Sequence, residues 1–120
     1  MIFRNQFQKK ENMNNKLFES YELNGQILNN RIVMAPMTRA RSANEGNVAT
    51  ELTAAYYAQR ATAGLIISEG TFISEEGIGF INVPGIYTQP QIKGWKTVAW
   101  ILTKSVEHRR IGSCIGITRR

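Results

Sequence analysis

The chain has 120 residues, 42% of them hydrophobic and 20% charged, with a formal net charge of +6, a composition that fits one domain with a modest core. Its length excludes a complete (β/α)8 barrel, which needs about 200 residues or more, and no run approaches the roughly 18 apolar residues of a membrane span. One cysteine, Cys114, excludes an internal disulfide and makes a cytoplasmic location the default; with no aspartate and one histidine, His108, no Ser-His-Asp triad, zinc cluster or Asp-based metal site is expected.

Residues 1–15 are polar and aperiodic, with no apolar run of the kind a secretory signal needs, and read as a disordered leader in which Met13 is a second candidate start. From Tyr21 to Asn29 the pattern is a hairpin turning at Asn24-Gly25, a pair suited to the left-handed positions of a type I′ turn. Arg31 to Ala35 follows as a short strand, apolar on both faces and stopped by Pro36. The polar loop from Met37 to Ala49 carries Arg39 and Arg41. Thr50 is a candidate N-cap for a helix from Glu51 to about Ala63, with Gly64 as its C′ residue. Leu65 to Ser68 is a second buried strand, running into Glu69-Gly70-Thr71. A glycine-rich loop follows. Thr88 then opens a helix to about Val106 with Pro90 in its first turn, and Ile111 to Thr118 is a third strand. Alternating strands and helices predict βα units around a parallel sheet.

The charge is unevenly placed. Residues 1–12 carry a net +2 and residues 104–120 a net +4, while residues 13–103 balance seven basic against seven acidic side chains. A nucleic-acid partner would call for cations over a folded face, so none is expected, and no membrane partner either. Trp95 and Trp100 read as helix core, Tyr56 and Tyr57 as packing, and Arg39 and Arg41 as solvated. Glu69 reads as a structural or ion-paired carboxylate. A Cys114–His108 dyad has nothing to orient it.

Three segments in register carry a resemblance. They are Asn30-Arg-Ile-Val-Met-Ala-Pro-Met-Thr-Arg-Ala-Arg41, Tyr56-Tyr-Ala-Gln-Arg-Ala-Thr-Ala-Gly-Leu-Ile-Ile-Ser-Glu-Gly-Thr71 and Pro84-Gly-Ile-Tyr-Thr-Gln-Pro-Gln-Ile-Lys-Gly-Trp-Lys96. Together with Leu17-Phe18-Glu19 and the hairpin, they resemble the N-terminal third of the Old Yellow Enzyme family, FMN-dependent NADH:flavin oxidoreductases of the N-ethylmaleimide reductase and ene-reductase type. The resemblance spans residues 16–103. It implies an α/β fold, the N-terminal fragment of a TIM (β/α)8 barrel with a hairpin and two to three βα units. It further implies FMN as cofactor, NAD(P)H as reductant, and an activated alkene, quinone or nitro compound as the small-molecule substrate.

By the same resemblance Pro36, Met37, Thr38 and Gly70 are the cofactor-binding residues. Thr38 would donate a hydrogen bond to the flavin carbonyl beside N5, stabilising electron density on the reduced ring and raising its potential. Gly70 would leave room for the ring to approach the backbone. No catalytic residue is assigned. The family's Gln-Leu-Trp-His motif on the third strand is replaced here by Ile111-Gly-Ser-Cys-Ile-Gly-Ile-Thr118, so residues 104–120 read as a divergent basic tail. The expected cause is a frameshift, since one choice of codons for Ser113 to Thr118, read one base earlier, specifies Gln-Leu-Tyr-Trp-His-Tyr. The expectation is a truncated chain, inactive alone. The alternative is a non-catalytic barrel fragment that self-associates or pairs its open sheet edges with another chain.

Overall fold

The computed structural model describes residues 16–107 and 114–116. The expected leader and most of the basic tail, His108 included, lie outside the described residues. In chain order the elements are β1 (Tyr21–Leu23), β2 (Gln26–Leu28), β3 (Val33–Met34), α1 (Glu51–Ala58), β4 (Leu65–Ile67), α2 (Gln89–Glu107) and β5 (Cys114–Gly116). The first two strands form a separate antiparallel hairpin. Asn24 and Gly25 turn it with φ of 48° and 82°, both left-handed as a type I′ turn requires.

Strands β3, β4 and β5 form one parallel sheet in that order, with Met34 opposite Ile66 and Ile66 opposite Ile115. This is the expected βαβαβ arrangement, and it brings the three strand C-termini to one end. The expectation that Arg31 to Ala35 is buried on both faces is corrected. Only two residues pair, Met34 is buried, and Val33 is 48% exposed. The helices cover one face of this edge strand, so alternate side chains meet different surroundings.

Thr50 starts α1. Its carbonyl accepts the Ala54 amide at 3.0 Å and its amide donates to the Thr53 hydroxyl at 3.3 Å. The helix ends at Ala58, five residues short of the expected Ala63. Arg60, Ala61 and Ala63 bond back to Tyr57, Ala58 and Arg60, so a tighter three-residue repeat replaces the α-helical one. Those turns deliver Gly64 to the Asn30 side chain, whose Oδ1 accepts the Gly64 amide at 2.8 Å while Nδ2 donates to the Thr62 carbonyl at 2.8 Å. A Cβ on Gly64 would lie 2.1 Å from the Asn30 carbonyl oxygen. Close approach therefore requires glycine here, and not the left-handed C′ role read from the sequence.

At α2, Thr88 and Gln91 cap each other. The Gln91 amide donates to the Thr88 hydroxyl at 3.4 Å, and Gln91 Oε1 accepts the Tyr87 and Thr88 amides, each at 3.0 Å. Gln91 Nε2 reaches the Gly46 carbonyl at 2.8 Å, tying the helix start to the loop before α1. Both helices and the sheet share one core containing Met34, Ala54, Tyr57, Ile66, Trp95, Val98 and Leu102. Trp95 is buried as expected and donates Nε1–H to the Gly85 carbonyl at 3.1 Å. Trp100 is not in the core. It is 62% exposed, because five residues along a helix turn it to the opposite side.

Candidate functional site

Parallel strands leave their C-terminal ends and following loops at one edge, where βα sheets place their chemistry. Here that edge carries the segment from Pro36 to Thr38 after β3 and the segment from Glu69 to Thr71 after β4. Pro36, Met37 and Thr38 are exposed and Gly70 is half-buried. A Cβ built on Gly70 would meet only the Thr38 hydroxyl oxygen, at 3.8 Å, so the fold brings two of the four expected site residues face to face. They share a cleft of about 260 Å³ with Thr71, Phe72, Phe80 and Val83. The loop forming its far wall is pinned by Phe72 and Pro84, whose amide and carbonyl bond at 3.1 Å, and by Ile86 and Phe72 at 2.9 Å. Pro36 and Met37 are not among the residues lining that cleft.

Behind the cleft lies a polar network that sequence reasoning did not assemble. Glu69 is 3% exposed. Its Oε2 accepts the Arg39 amide at 3.0 Å, and its own amide donates to the Tyr57 hydroxyl at 2.9 Å. The Thr71 hydroxyl donates to the Glu69 carbonyl at 3.0 Å. Burial pushes the Glu69 carboxyl above the ordinary glutamate range, opposed by the Arg39 amide and charge and by the Tyr57 hydroxyl. Burial likewise pushes the Tyr57 phenol up to about 12, so it stays protonated.

Tyr56, expected only to pack, holds two arginines against its ring. The guanidinium carbons of Arg39 and Arg60 lie 4.1 Å and 3.7 Å from the ring centroid. Arg39 also donates to the Tyr56 hydroxyl, so this loop arginine is anchored despite its exposure. Arg39, Arg41, Tyr56, Gln59 and Glu69 line a second hollow of about 190 Å³. The signal for this network was present as Tyr56-Tyr57 on α1 and Glu69 at a strand end. Nothing in their spacing joins either to Arg39. Among the described residues no His, Cys, Asp or Glu cluster could hold a metal ion.

The cleft carries a hydroxyl and an open backbone position side by side. The Thr38 hydroxyl has no hydrogen-bond partner among the described residues, and Gly70 needs no special φ and meets no clash that would demand a missing side chain. Both are therefore available to something outside the chain's own packing. The sequence profile of the NADH:flavin oxidoreductase / NADH oxidase family matches residues 16–113. The chain belongs to that family. It is 52% identical over 83 residues to 12-oxophytodienoate reductase 7 of Oryza sativa subsp. japonica, which covers 68% of this chain and 21% of the rice protein. It is 44% identical over 84 residues, again 68% of the chain, to a protein of Epichloe festucae var. lolii described as a probable inactive reductase, of which that covers 22%.

Among solved structures, morphinone reductase in complex with tetrahydroNAD superposes with a TM-score of 0.76 at 40% identity, covering 86% of this chain and 26% of that one. The Old Yellow Enzyme homologue from Zymomonas mobilis gives 0.75 at 39% identity, covering 87% and 27%. The chain thus spans about a fifth to a quarter of its relatives' length, and the family's barrel is represented by its opening portion. The expected Old Yellow Enzyme membership and barrel-fragment fold both hold.

Proposed function

We propose that this chain forms one wall of the FMN site of an NAD(P)H-dependent oxidoreductase of the Old Yellow Enzyme type. The carrying observation is the unpartnered Thr38 hydroxyl beside Gly70 at adjacent strand ends, in a chain whose relatives include flavin oxidoreductases. The Thr38 hydroxyl is placed to donate to a carbonyl on the ring's polar rim. Gly70 keeps the approach clear, and Pro36 and Met37 extend the same edge outside the cleft. When bound, FMN supplies hydride uptake from NAD(P)H and hydride delivery to an electron-poor alkene, quinone or nitro compound. The phosphate of such a cofactor needs donors beyond these four residues, and the family's third-strand motif has no counterpart in residues 111–118. By itself, therefore, the 120-residue chain is expected to show no NAD(P)H-dependent turnover.

The test is a titration of the chain with FMN followed by flavin fluorescence. Saturable quenching is expected, weakened roughly three- to tenfold in Thr38→Ala, as one neutral hydrogen bond is worth. Quenching absent, or indifferent to Thr38, overturns the assignment. A second reading, a non-catalytic fragment that associates through its sheet edges, draws support from Ile32 and Val33, exposed at 40% and 48% at a strand, β3, that pairs on one side alone among the described residues.

A further inference from the structure

Building on the flavin-edge reading, we propose that Glu69 is a positioning residue: its buried carboxylate holds the Thr38–Arg39 peptide against the end of β4 and so sets the Thr38 hydroxyl opposite Gly70. The Arg39 amide that Glu69 accepts belongs to the same peptide unit as the Thr38 carbonyl, so fixing it fixes the backbone that carries the Thr38 side chain. The Glu69 backbone is itself held on both sides. The Tyr57 hydroxyl accepts its amide, and the Thr71 and Ser68 hydroxyls donate to its carbonyl at 3.0 and 3.3 Å. A carboxylate this buried is costly unless it is well satisfied, and here the satisfaction comes from a backbone amide 30 residues away in the chain.

The geometry separates this role from acid–base chemistry. Glu69 lines the hollow with Arg39 and Arg41, whereas the cleft containing Thr38 and Gly70 is lined without it. Nor is the Arg39 side chain its main partner, because that guanidinium is engaged by the ring and hydroxyl of Tyr56. The Glu69 carboxylate therefore acts on Thr38 through the Thr38–Arg39 backbone that it holds, and not by entering the cleft. It ties the two loop segments together by a charge-assisted hydrogen bond.

The test uses the full chain in solution. Nuclear magnetic resonance should show a slowly exchanging Arg39 amide whose proton shift follows titration of the Glu69 carboxyl, and an Overhauser contact between the Thr38 methyl and Gly70. Glu69→Met fills the space without accepting. It should speed Arg39 exchange on the order of tenfold or more and erase the Thr38–Gly70 contact, with Ile66 exchange unchanged. Glu69→Gln keeps an acceptor oxygen and should restore both. An Arg39 amide that is unprotected, or blind to Glu69 titration, in the unaltered chain overturns the proposal even if the variants do not fold. So does a Thr38–Gly70 contact unmoved in Glu69→Met. FMN titration of the same variants keeps the two readings apart. If Thr38 loosens while FMN binding holds, positioning stands and the flavin edge falls; if FMN binding weakens with Arg39 exchange unmoved, positioning falls.

Discussion

Glu69 shows how a single burial event becomes a pH dependence. Its carboxyl titrates above the ordinary value of 4.5 in the folded chain, chiefly because burial penalises the charge. Between the ordinary and the raised value, the folded chain holds a proton that the unfolded chain has released. Raising the pH through that window draws the equilibrium toward unfolding, so this contribution is full below 4.5 and lost above the folded value. Urea midpoints measured from about pH 4 upward should fall across that window in the unaltered chain and flatten in Glu69→Gln. The individual residues differed in how far sequence exposed them. Thr38 and Gly70 were singled out by the resemblance of the segments that carry them; the strand-end pattern alone places both at the same edge of the sheet and assigns neither a ligand. The Glu69–Arg39 bond was not, because its partner is a backbone amide, which no residue identity announces. Trp100 was misread because apolar character alone does not tell the buried side of a helix from the open one.

At the scale of elements, starts were more legible than ends. Thr88 marks its helix because its hydroxyl accepts the Gln91 amide, and Thr50 marks the other through its backbone amide, which donates to the Thr53 hydroxyl. The end of α1 was decided instead by the Asn30 side chain, which captures Gly64 from 34 residues away and draws the last turn tight. Strand β3 pairs over only two residues of its apolar run, because a ladder depends on register with β4 as well as on local apolar character. The α2 start carries the clearest energetic test. Gln91 is 2% exposed and serves Tyr87, Thr88 and Gly46 at once. Gln91→Ala removes all three bonds and leaves a buried void, so a loss of about 2–4 kcal/mol is expected from the shift in urea midpoint. A variant within about 0.5 kcal/mol of the parent would show that water replaces these bonds at no cost.

For the whole molecule, the governing fact is a three-stranded sheet whose outer members, β3 and β5, have no further partner among the described residues. Alongside β3 stand exposed Ile32 and Val33, and Ile27 on the hairpin is 71% exposed. Sedimentation should show an average mass that climbs with concentration, and Val33→Lys should lower it by placing a charge at the edge. A monomer at all concentrations would argue that these edges are protected some other way. The parallel order itself was legible from alternating strand and helix patterns. What would cover the outer surface was not, because a sequence records a buried residue and a docking residue with the same letters.

The polar network behind the cleft is also notable for how little chain it needs. Every member, from Arg39 through Tyr56 and Tyr57 to Glu69 and Thr71, lies within one strand-helix-strand unit. During synthesis the amino-terminal part of a chain emerges first and is free to organise while the ribosome is still at work. Once Thr71 has left the exit tunnel, every group that sets Thr38 against Gly70 is present. Translation would therefore present this corner of the molecule before α2 and β5 have emerged, leaving it as a template on which later elements are laid.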